Sequence, residues 1–127
     1  EAGQAPDAES FRLVVTVLPE GIEVADSDRG LIDVMPVSGQ GQDYSRLSEL
    51  LQQIKSRMPD KTDVILEVGP DVDYQTLVSV MDTVRSYQAV VAASVVEAEL
   101  FPDVSLMDAG EDRNLAARPV ESKGEGA

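Results

Sequence analysis

Alternation and helical periodicity divide this chain into a succession of short elements. Residues 11–18, FRLVVTVL, are β-branched and apolar, and Pro19-Glu20-Gly21 follows as a turn. Ile22-Glu23-Val24 then alternates apolar and polar, so the two runs predict a hairpin. Asp26-Ser27-Asp28-Arg29-Gly30 supplies a second turn. LIDVMPV at 31–37 reads as a short strand that Pro36 confines to an edge, because proline has no N–H for an inner ladder.

Helical spacing begins after the flexible SGQGQ at 38–42. Asp43 is a good N-cap, and Leu47, Leu50, Leu51, Ile54 and Met58 fall on one helical stripe. Lys55 and Arg57 sit where cations suit the helix dipole, and Pro59 stops the helix. Val64–Val68 is apolar enough for a central strand, broken by Gly69-Pro70-Asp71. Asp73 caps a second helix whose stripe is Tyr74, Leu77, Met81, Val84 and Tyr87. Ala89–Val96 carries four valines in eight residues, which favours a single strand. Strand and helix alternate from 31 to 96, which implies crossovers onto one face of a partly parallel sheet. The expected fold is α+β: a two-layer sandwich with two helices packed on one face of a mixed β-sheet.

The domain organisation follows from the ends. Residues 1–10 are small or acidic, lack periodicity, and read as a linker or trimmed end with the native chain beginning upstream. Residues 11–109 form the domain. Residues 110–127 lose periodicity, gain Gly and charge, and read as a disordered tail. No apolar run is long enough to span a membrane.

Composition removes most chemistries. The 127 residues hold no Cys and no His, which excludes thiolate nucleophiles, disulfides, imidazole metal sites and Ser-His-Asp triads. A net charge of −14 disfavours nucleic acid and anionic lipid and favours basic partners. Most of that charge lies in the body, where residues 11–109 hold 17 acids and 7 bases. Asp26–Gly30 and Asp71–Asp73 fail the calcium-loop spacing and read as a turn and a helix cap. Gly39-Gln40-Gly41 lacks the Lys-Ser/Thr of a phosphate loop. Glu67 and Asp82 are acids that general acid–base chemistry could pair, but each fits better on a solvated face. No catalytic residue, metal ligand or cofactor is expected. Glu99–Asp108 is too apolar for a free tail. It is either a final edge strand packed on its own domain or an arm that pairs with a sister subunit or partner by strand addition.

Val72-Asp73-Tyr74-Gln75-Thr76-Leu77, continuing Val80-Met81-Asp82-Thr83, resembles the V-D-Y-x-T-L-x-x-V-M-D-T segment of the ExbD/TolR biopolymer-transport family, closest to its ExbD side. The order of elements over roughly residues 11–97 is similar as well. The resemblance implies a non-enzymatic periplasmic domain of a single-pass inner-membrane protein, preceded in the native chain by a transmembrane helix. It implies a homodimer partnered by an ExbB/TolQ-like channel subunit, using the proton-motive force to act on the outer membrane through a TonB-like or Pal-like protein or peptidoglycan. The family's proton-carrying carboxylate lies in the membrane helix, so no acid of this chain takes that role. Where many members have Asp-Lys before the motif, this chain has Gly69-Pro70. Its Leu-Phe-Pro-Asp segment is similar to arms in some branches, including relatives in motility motors. The expected partner-binding residues are Asp71, Asp73 and Tyr74 in the loop, and Leu100, Phe101, Val104 and Leu106 in the arm. The alternative is a soluble α+β adaptor or ligand-binding module unattached to any proton channel.

Overall fold

Alternating side chains give the sheet one face for the helices. A computed structural model describes residues 12–110 and Leu115. β1 (Leu13–Leu18) and β2 (Gly21–Asp26) form the expected hairpin around Pro19-Glu20, with Leu18 opposite Gly21. β3 (Gly30–Pro36) pairs antiparallel with β2 and lies at the sheet edge, as Pro36 requires. The chain then crosses through α1 (Tyr44–Arg57) to β4 (Asp63–Val68), which lies parallel to β1. The five-stranded sheet has the order β3-β2-β1-β4-β7, where β7 (Asp103–Asp108) is the far edge, parallel to β4. The architecture is the expected one: two helices packed on a mixed sheet.

Val15, Val17, Ile22, Val24 and Leu66 point to the helical layer and are fully buried there with Leu47, Leu51 and Ile54 of α1. Val80 and Val84 of α2 (Tyr74–Arg85) join the same core, so both helices cover one face. Asp43 caps α1 by accepting from the Arg46 N–H at 3.1 Å, and Arg46 in turn donates to Asp33 of β3 at 2.7 Å. The fit of helix to sequence is close because stripe, cap and stop signals agree.

Two expectations are corrected. Residues 89–96 are not one strand of the main sheet. They are the middle of a separate two-stranded hairpin, β5 (Ser86–Val91) and β6 (Ser94–Glu99). Ala92 and Ala93 turn it, both at positive φ (52° and 66°), a conformation usually left to Asn-Gly. The helical stripe accordingly ends at Arg85, and Tyr87 belongs to β5. The last parallel strand is β7 instead.

The second correction concerns two residues of the arm, which otherwise is the final edge strand, one of its two expected readings. Its first residues, Leu100 and Phe101, are fully buried in the core and serve as anchors. The Leu100 N–H donates to Arg85 O at 2.8 Å and the Phe101 N–H to Val84 O at 2.9 Å. Two carbonyls at the end of α2, which have no partner within the helix, are satisfied in this way. Lys55 Nζ lies 5.1 Å from the centroid of the Phe101 ring. Val104 is half-buried opposite Val64, and β7 is a final edge strand of the domain's own sheet. The expected linker 1–10 lies outside the described residues, as does the tail 110–127 apart from Gly110 and Leu115.

Phe101→Ala therefore empties the centre of the core. It is expected to cost about 3–5 kcal/mol of unfolding free energy, measured by urea denaturation followed by circular dichroism. A cost under about 1 kcal/mol would show that the ring is not a core anchor.

Candidate functional site

The residues singled out from the sequence separate into two places. Asp71, Asp73 and Tyr74 lie together at the start of α2, while Val104 and Leu106 lie on β7. Leu100 and Phe101 are core residues and present no side chain to a partner in this conformation.

At the start of α2, Asp73 adopts extended backbone and its carboxylate accepts from the Thr76 N–H at 2.9 Å. Hydrogen bonds from the Thr76 side chain and backbone favour the ionised form and hold the Asp73 carboxyl below the usual aspartate range. Tyr74, the next residue, is 79% exposed. An aromatic side chain so placed contributes nothing to the core, whereas Leu77 and Met81 of the same helix pack against it. This helix start borders a cleft of about 480 Å³ whose other wall is Pro19, Val37, Gln42 and Tyr44. The Gln42 side chain donates to Leu18 O at 2.9 Å, and its own oxygen is buried with no hydrogen-bond partner among the described residues. Gly69 explains part of the geometry. Its N–H donates to Val17 O at 2.9 Å, and a Cβ there would meet Leu18 Cδ2 at 2.8 Å. A larger residue would have to displace that leucine.

The second place is the outer edge of β7. Leu106 and Met107 are about half exposed, and no described strand pairs beyond them. The opposite edge, β3, is open in the same sense and shows Ile32, with Val37 exposed just beyond its end. Open edges with apolar side chains are templates for an added strand.

Glu67 and Asp82 are not brought together as a pair. Glu67 lies on the sheet face away from the helices, where Thr16 Oγ1 donates to it at 3.0 Å, while Asp82 is exposed on α2. Among the described residues no group of three or more acids could hold a metal ion, and no helix is long and apolar enough to cross a membrane. That far sheet face is nonetheless covered, with Leu18 and Val34 buried. Leu115 approaches it, with its Cδ2 3.0 Å from where a Gly21 Cβ would stand.

Sequence reasoning missed the β5–β6 hairpin, whose Val90, Val91, Val95 and Val96 are 41–75% exposed. The signal that could have found it is the symmetry of two valine pairs about Ala92-Ala93. No family model, no curated protein and no solved structure matches this chain.

The two residues at the helix start should separate structure from recognition. Asp73→Ala should lower stability at pH 7, because a depressed carboxyl contributes stability above its unfolded pKa of about 3.9. That contribution is lost as pH falls through the folded value, so the gap between variant and parent should narrow below about pH 4. Tyr74→Ala should leave stability within about 0.5 kcal/mol at any pH. Thermal unfolding at pH 7 and in acid checks both; a pH-independent gap for Asp73→Ala would contradict the capping charge.

Proposed function

We propose that this chain is a non-enzymatic, dimeric periplasmic domain of a proton-motive-force-driven energy-transducing complex of the ExbB–ExbD or TolQ–TolR type. It transmits force by binding a TonB-like or Pal-like protein or peptidoglycan. A multi-spanning channel subunit is its partner in the inner membrane, reached through a membrane helix outside this chain. The observation that carries the reading is the behaviour of the 72–85 motif. Its apolar positions Leu77, Val80, Met81 and Val84 hold α2 to the core, while Tyr74 is left on the surface beside the cap. A motif with both a packing half and an exposed aromatic half suits a domain that works by contact.

The electrostatics and the edges are consistent with that role. Net charge of −14 steers basic segments toward the surface and repels nucleic acid. The open β7 edge, where Leu106 is half exposed, and the cleft lined by Asp71 and Asp73, with Tyr74 beside it, are the surfaces that a partner would use under this reading. Strand addition needs no catalytic group, since main-chain hydrogen bonds supply the affinity.

The test is the native gene upstream of the codon for Glu1. The reading predicts about 20 consecutive apolar residues carrying one embedded Asp, because a lone carboxylate inside a membrane helix marks a proton path. A start codon or a cleavable signal peptide in that place would overturn it and leave the soluble adaptor.

A further inference from the structure

The hairpin is an excursion from the domain, pinched at its base by the Leu100 and Phe101 bonds to the end of α2. It forms its own two-stranded sheet, so among the described residues neither outer edge is paired. Such ribbons are marginal in water unless something adds to them. The two edges differ. On β5, Ser86, Tyr87 and Ala89 are partly covered by the domain. On β6, every residue but Ala98 is exposed. The register places Glu97 opposite Gln88, Glu99 opposite Ser86 and Val95 opposite Val90, all on one face. Val96 and Val91 lie on the other. The β6 edge therefore offers Val95, Glu97 and Glu99 on one face and Val96 on the other, with a row of backbone donors and acceptors that no described strand pairs. Glu97 also accepts from the Ser86 hydroxyl at 2.6 Å.

We propose that the outer edge of β6 is a docking strand for an extended basic segment of a partner protein, one alternating Lys or Arg with β-branched apolar residues. Charge complementarity selects this occupant. Glu97 and Glu99 stand about 7 Å apart along the strand, the spacing of alternate residues on an added strand, so two successive cations would each face a carboxylate. Asp82 borders the same hollow at the hairpin's root, where Arg85 is the sole cation among the described lining residues. A second copy of this chain is the poorer occupant of this edge, because it would bring further acidic residues beside Glu97 and Glu99, and the dimer of the proposed function would form at another surface. The proposal goes beyond the energy-transduction reading and holds whether or not a membrane helix precedes the domain.

The probe is a synthetic hexapeptide of alternating Lys and Val, titrated into the ¹⁵N-labelled chain. Saturable amide shifts confined to residues 94–99 are expected. Exchanging both acids (Glu97→Lys with Glu99→Lys) should weaken binding about tenfold, since two opposite-charge cross-strand pairs become like-charge pairs. These residues are exposed, and an otherwise unchanged spectrum would show that the variant is folded. N-methylation of the peptide's alternate backbone nitrogens should abolish binding, because strand addition needs those donors. Equal binding of the methylated peptide would reduce the effect to bulk attraction and overturn the proposal, as would shifts centred on β3 or β7. Hairpin shifts that follow protein concentration without peptide, with a doubled mass in light scattering, would identify a second copy as occupant and also overturn it.

Discussion

Two backbone hydrogen bonds at the end of α2 set what the rest of the chain can do. Leu100 and Phe101 return to the carbonyls of Arg85 and Val84, residues some fifteen positions earlier. That return satisfies helix-terminal acceptors, seats Phe101 in the core and starts β7 in line beside β4. It also leaves residues 86–99 outside the main sheet, with Tyr87 still packed against the core. The main sheet needs β7, because β4 would otherwise expose its edge, and it does not need the hairpin. A chain with this closure can carry an exposed apolar ribbon at little cost to its core.

The sequence was most legible where several local signals agreed. Asp43 and Asp73 cap as expected, Pro36 lies in an edge strand, and the two helices begin where the caps place them. It was least legible at Ala89–Val96, where β-propensity correctly indicated extended chain but not its partner. Propensity is a local quantity, and whether four valines face a core or water depends on tertiary placement. No glycine or asparagine marked the turn, because Ala92 and Ala93 take the left-handed conformation themselves. Leu100 and Phe101 were misjudged for the opposite reason. Their apolar character was plain, but a buried anchor and an exposed anchor look alike in sequence. The grouping of Asp71, Asp73 and Tyr74 was legible because three neighbours in the chain need no tertiary information to be neighbours in space.

Under the proposed reading, function in this domain rests on contact. The helical face is consumed by the core, so what remains for a partner is main chain at strand edges and a few exposed side chains. Tyr74 and the β7 edge belong to the main domain, whereas the β6 edge belongs to the separate two-stranded sheet. The net charge of −14 would favour basic segments at any of the three, and under the docking proposal Glu97 and Glu99, two positions apart on one face of β6, would add directionality that net charge alone lacks.

Native-state amide hydrogen exchange tests the central claim most directly, which is that the closure at Leu100 and Phe101 separates a stable frame from an appended ribbon. The account predicts that the Leu100 and Phe101 amides exchange as slowly as those of β1 and β4, through global unfolding. The hairpin amides between Gln88 and Glu97 should exchange at least about a hundredfold faster through local opening. Equal protection of hairpin and frame would contradict it, since the ribbon would then be part of the cooperative core.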